Sequence, residues 1–115
     1  MANLARVLPQ GLEARVDRSS WRIPPIFRVI GQLGKVPQAD LERTLNLGVG
    51  MVAVVDPSVT DQAVAHLGER GVDTWVMGTV EQGEAPTAAD LEDPDYVQGA
   101  KGVDGGAVRL LGEYA

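Results

Sequence analysis

The sequence predicts an α+β protein, a mixed sheet with helices packed on it in two or three layers. Three observations carry this. Leu12, Ala14 and Val16 alternate with Glu13, Arg15 and Asp17, the period-two mark of a half-buried strand. Gly48 and Gly50 lead straight into five apolar residues, Met51 to Val55, which suits a buried strand fed by a turn. Val59, Ala63 and Leu67 then form a helical stripe before a second apolar run, Val72 to Val80. Together these predict a β-α-β unit at about residues 51–80, with a right-handed crossover if its strands are parallel.

Taken in order, Leu4, Val7 and Leu8 give a short helical stripe that Pro9 and Gly11 close. Asn3 is the candidate N-cap, a simple capping residue or the start of a helix end suited to an anion. After the strand at Leu12 to Asp17, Arg18 to Ile23 is a connection, with Trp21 on the core edge. Pro24 and Pro25 suit the first turn of a helix carrying Ile26, Ile30 and Leu33, which Gly34 ends. Pro37 opens a shorter helix with Leu41 and Leu45, where Asp40 and Glu42 early and Arg43 late follow the helix dipole. Asp56, Pro57 and Ser58 mark the start of the crossover helix, and Gly71 its stop.

The character changes after residue 80. Glu81 to Asp95 has almost no apolar periodicity and reads as a surface loop or disordered segment. The glycine-rich stretch Gly99 to Gly106, around Lys101 and Asp104, lacks the helix-opening context of a phosphate loop. Ala107 to Leu111 adds an edge strand. The organisation is thus a partial domain at 1–80 and an acidic tail with Gly and Pro at 81–115.

At 115 residues with 44% hydrophobic residues, the chain is the size of one domain with a modest core. Its net charge of -6 is uneven, since residues 1–80 hold eight acidic and eight basic side chains while 81–115 hold eight and two. A neutral body with an acidic tail offers no footprint for nucleic acid or an anionic membrane. The absence of cysteine excludes thiolate metal sites, and a single histidine argues against zinc. No apolar run approaches the roughly 20 residues that span a bilayer, and no signal-peptide pattern opens the chain, so the expected setting is cytoplasmic.

No complete catalytic constellation is visible. His66 has no orienting partner and reads as structural or solvent-facing. The tail carboxylates read as solvated charge, and Gly48 with Gly50 as a tight turn. The better lead is Arg43, Thr44 and Asn46: an arginine fork, a hydroxyl and an amide that can hold a phosphate or an amide substrate, or merely end a helix.

These residues carry a resemblance. R-T-L-N-L-G-V-G-M at Arg43 to Met51 resembles the R-T-F-N-M-G-x-G-M signature of the phosphoribosylformylglycinamidine cyclo-ligase (aminoimidazole ribonucleotide synthetase) family, with Leu45 and Leu47 replacing the usual Phe and Met. N-L-A-R-V-L-P at Asn3 to Pro9 is similar to that family's N-x-x-R-V-L-P, D-R-S-S-W at Asp17 to Trp21 to its D-x-S-S-W, and P-P-I-F at Pro24 to Phe27 to the start of its next helix. The spacing between blocks agrees, so the resemblance covers about residues 3–80.

The resemblance implies the latter part of the family's C-terminal domain. The longer family enzyme uses ATP and Mg²⁺ to phosphorylate the formyl amide oxygen of formylglycinamidine ribonucleotide, whereupon the amidine nitrogen closes the imidazole ring of aminoimidazole ribonucleotide. Most of the ATP and metal site belongs to an N-terminal domain that is missing here, as is a T-G-G-G loop expected just before Asn3. The chain alone is therefore expected to be inactive, with no cofactor bound and no metal-ligating or catalytic residue of its own. Asn3, Arg6, Arg43, Thr44, Asn46, Gly48 and Gly50 are implied as substrate-side contacts.

A related synthetase or small-molecule kinase is disfavoured because D-R-S-S-W and R-T-L-N-L-G-V-G-M occur together. The alternative from another class is a free-standing, non-catalytic α/β binding or interaction module. A sheet without its usual flanking strands presents an edge or apolar face, so self-association is also expected.

Overall fold

A computed structural model describes residues 1–99 and 105–115. Its elements are helix α1 (Ala2–Val7), strand β1 (Leu12–Asp17), helix α2 (Pro25–Gly34), helix α3 (Gln38–Thr44), helix α4 (Thr60–Gly68), strand β2 (Gly78–Gln82), helix α5 (Ala88–Glu92), strand β3 (Tyr96–Gln98) and strand β4 (Ala107–Leu111). Single 3₁₀ turns at Arg18–Ser20 and Pro57–Val59 follow β1 and precede α4. The four strands form one mixed sheet in the order β2-β1-β4-β3. Strand β1 runs antiparallel to β2 (Ala14 opposite Val80) and parallel to β4 (Ala14 opposite Val108), while β3 is antiparallel to β4. The architecture is α+β with a mixed sheet, as the sequence predicts.

The alternation along β1 sets which face is buried. Ala14 and Val16 lie opposite Val108 and Leu110, and these four pack with Ala5 and Leu8 of the α1 region and with Trp21. Trp21 is therefore a core residue, not an edge one. Its ring meets Tyr114 edge-on at 5.3 Å and Trp75 at 6.4 Å, so it joins distant parts of the chain. A second, smaller cluster of Ile23, Leu41 and Leu47 lies between α2, α3 and the turn that follows.

The predicted β-α-β unit at 51–80 does not form. Helix α4 is present, but Met51 to Val55 has neither helix nor strand, and the second run enters a ladder only from Gly78. Met51 is 91% exposed and Val54 57%. An apolar run becomes a strand only beside a ladder partner, and Met51 to Val55 pairs with none of the four strands. Helix α4 correspondingly buries no residue.

Other departures concern single elements. Helix α2 ends at Gly34 as expected, with Lys35 left-handed at its C-cap, yet Ile26, Ile30 and Leu33 face outward. It packs through Phe27 and Gly31 instead, and Gly31 sits so near Leu41 that a Cβ there would meet its Cδ1 at 2.8 Å. Asn3 is not an N-cap: Met1 precedes the helix and Asn3 lies inside it. Glu81 to Asp95 holds the end of β2 and the whole of α5, which opens with a reciprocal cap between Thr87 and Asp90. The strand at 107–111 exists but is interior, flanked by β1 and β3, because it carries three of the best-buried residues: Ala107, Val108 and Leu110. Lys101 and Asp104 lie outside the described residues. Among the described residues, no helix is long and apolar enough to cross a membrane.

Candidate functional site

The most constrained polar loop follows α3. Leu45 donates its backbone N–H to Leu41 and closes the helix, after which the chain turns sharply. The Asn46 side-chain oxygen accepts the Gly48 N–H at 3.1 Å, and the Asn46 carbonyl accepts the Val49 N–H at 2.9 Å. Leu47 takes φ 49° and Gly48 φ 99°, so the turn passes twice through left-handed backbone. Such a conformation costs a non-glycine residue about 1–3 kcal/mol and persists only when neighbours fix it.

Those neighbours come from the other blocks of the sequence. Trp21 donates its indole N–H to the Leu47 carbonyl at 3.1 Å, and the Leu47 side chain is buried. Gly48 lies against Pro24, where a Cβ would sit 2.6 Å from the ring Cδ. One residue before Arg43, Glu42 is buried and takes two hydrogen bonds from Arg18, at 2.9 and 3.0 Å. Arg18 and Trp21 of D-R-S-S-W and Pro24 of P-P-I-F thus anchor the turn from below. Arg43, Thr44 and Asn46 are left exposed above it.

Arg18 also reaches the tail. It donates to Asp95 at 2.7 Å and to the Gly112 carbonyl at 3.3 Å, and its guanidinium lies 5.8 Å from the Tyr114 ring centroid. Burial works against its charge, but the hydrogen bonds to Glu42 and Asp95 more than offset this and raise its pKa. Burial, reinforced by the Glu42 carboxylate, raises that of the Tyr114 phenol. On the other face of the sheet, Arg109 bonds Glu13 at 3.2 Å and Asp90 at 2.9 Å and covers the Tyr96 ring at 4.9 Å. The Asp90 carboxyl is held below its usual range chiefly by the backbone N–H of Thr87, then by Arg109. Asp90 and Asp95 are therefore structural partners rather than solvated charge.

Not every predicted site residue joins this loop. Asn3 and Arg6 are exposed on α1 and bond each other at 2.9 Å. Among the described residues no hydrogen bond or ion pair ties them to Arg43–Gly50. Gly50 has open space around it and no positive φ, unlike Gly48. A cleft of about 420 Å³ between α2 and α3 is lined by Ile23, Arg28, Val36, Leu41 and Tyr114, and none of the predicted residues enters it. His66 is exposed, and its ring lies within hydrogen-bonding distance of the Arg70 guanidinium, at 3.1 Å. The Arg18–Glu42–Asp95 network escaped the sequence reading because its members are 24 and 77 positions apart. The only available signal was an arginine inside D-R-S-S-W.

Fold and loop together define an α+β domain that presents a polar, glycine-containing turn beside a mixed sheet. The chain belongs to the family of the AIR synthase related protein, C-terminal domain, whose model matches residues 1–90. A Streptomyces fradiae protein named "Putative phosphoribosylformylglycinamidine cyclo-ligase" is 44% identical over 114 residues, 98% of this chain and 54% of its own length. The phosphoribosylformylglycinamidine cyclo-ligase of Pseudothermotoga lettingae is 42% identical over 84 residues, 73% of this chain and 25% of the relative. That of Sorangium cellulosum is 46% identical over 78 residues, 68% and 22% respectively. The chain therefore spans about half of one relative and about a quarter of the others.

Proposed function

We propose that this chain is the part of a cyclo-ligase C-terminal domain that forms the substrate side of the active cleft. The reaction is the ATP-dependent closure of formylglycinamidine ribonucleotide to aminoimidazole ribonucleotide in purine biosynthesis, a cytoplasmic process. The observation that carries this reading is the loop after α3, where three sequence blocks converge to hold a strained turn and leave Arg43, Thr44 and Asn46 free at the surface.

A guanidinium fork, a hydroxyl and an amide suit phosphate or amide oxygens. Arg43 supplies charge and paired donors, Thr44 a donor or acceptor, and Asn46 a remaining amide N–H₂, its oxygen being engaged with Gly48. Gly50, with open space around it, allows a ligand close to the backbone, while Gly48 lets the turn close on Pro24 beside it. Asn3 and Arg6 form a second polar pair that serves the same substrate across the cleft.

The residues at this loop do not fit a metal ion. Among the described residues no three His, Cys, Asp or Glu side chains converge. Binding of Mg²⁺ and ATP falls to the remainder of a longer ligase, and this chain alone gives no turnover. The test is a chimera in which this chain replaces the matched 84 residues of the Pseudothermotoga lettingae cyclo-ligase. Ring closure by the chimera, with none by the isolated chain, is the expected result. A correctly folded but inactive chimera would refute the reading.

A further inference from the structure

We propose that the acidic tail is a clamp on the loop after α3, with Asp95 and Tyr114 as positioning residues that fix both ends of the segment carrying Arg43, Thr44 and Asn46. That segment lies between two buried side chains, Glu42 and Leu47. Each is tied to the tail through one intermediary. Glu42 receives the Arg18 guanidinium at 2.9 and 3.0 Å, and the same guanidinium donates to Asp95 at 2.7 Å and to the Gly112 carbonyl at 3.3 Å. The Leu47 carbonyl accepts the Trp21 indole N–H at 3.1 Å, and the Tyr114 ring stands edge-on to Trp21 at 5.3 Å. The tail thus holds Arg18 and Trp21, and these hold the loop.

Arginine suits this place because its rigid planar fork faces Glu42 along one side while its outer N–H groups reach Asp95 and Gly112. Charge separates the partner that keeps the fold from the one that aims the fork. Arg18 and Glu42 are both buried, so losing either leaves an uncompensated charge. Asp95 has 47% of its side chain exposed, so neutralising it leaves the buried pair balanced and removes only a restraint on the guanidinium. Tyr114 packs against both apolar clusters, the one that holds Trp21 and the one that holds Leu47. A loop whose polar groups are fixed before a ligand arrives loses less freedom on binding it. The effect of the tail on substrate rests on the proposed role of Arg43, Thr44 and Asn46, whereas its effect on the loop does not.

Amide exchange of the whole chain, followed by NMR, tests the clamp. Asp95→Asn and Tyr114→Leu should each speed exchange at Leu45, Gly48 and Val49 at least about fivefold, while the amides of the β1–β4 ladder keep their rates. Tyr114→Phe, which keeps the ring, and Glu81→Gln, at a surface ion pair with Arg15, should change neither. In the active chimera Asp95→Asn and Tyr114→Leu should raise KM for the ribonucleotide at least about threefold with kcat within about twofold, the mark of weakened ground-state binding. The clamp is overturned if loop exchange is unchanged in both variants, or if loop and ladder amides speed up equally, which would make the tail a source of general stability. Faster loop exchange with an unchanged KM would support the clamp and count against the substrate reading alone.

Discussion

Gly48 and Gly50 stand two positions apart in one turn and meet different surroundings. Gly48 needs φ 99° and has Pro24 against it, whereas Gly50 has open space and no positive φ. Gly48→Ala should therefore destabilise the chain by about 1–3 kcal/mol or more. Gly50→Ala should stay within about 0.5 kcal/mol, the range of an unconstrained surface change. Chemical denaturation of both variants checks this contrast. It also separates their roles, since any need for glycine at position 50 then belongs to a ligand rather than to the fold. Sequence alone presented the two as one G-x-G turn, because nothing local reveals Pro24 packed beneath only the first. Arg18 was hidden for the same reason, its partners being brought together only by the folded chain.

Among the elements, β1 was legible because its alternation is a property of six consecutive residues, and α2 and α3 because Pro24, Pro25, Gly34 and Pro37 mark their ends. Met51 to Val55 misled, since an apolar run signals burial without naming what covers it. Strand β4 was legible in place but not in rank. Only long-range pairing reveals that it lies between β1 and β3 and buries Val108 and Leu110 against α1 and Trp21. An edge strand would tolerate truncation, and an interior one does not. Leu110→Ala should cost about 2–5 kcal/mol, measured as a drop in unfolding free energy. Loss of less than half a kilocalorie would return β4 to the edge.

At the scale of the whole molecule, the tail is tied to the body by arginines, Arg18 to Asp95 and Arg109 to Glu13, with a tyrosine beside each. Burial leads in raising both tyrosine pKa values above the phenol's ordinary range near 10. A raised folded pKa means that the contribution to stability is present below the unfolded value and lost as pH rises through the folded one. Ultraviolet titration should thus show Tyr96 and Tyr114 ionising late and together with alkaline unfolding. A tyrosine titrating near pH 10 in the folded chain would show that the tail is not packed as described.

The candidate site was legible in the sequence as four spaced blocks. What they do together was not, because the anchoring of the turn by Arg18, Trp21 and Pro24 exists only in three dimensions. We propose that this anchoring serves to present Arg43, Thr44 and Asn46 to substrate. The most direct measurement is kcat/KM for ring closure in the active chimera carrying Arg43→Ala, with its unfolding free energy measured in parallel. A charge-assisted hydrogen bond contributes about 1.5–3 kcal/mol, so a fall of at least about tenfold at unchanged stability is predicted. An unchanged kcat/KM would mean that Arg43 does not meet substrate and that the loop is a structural turn alone.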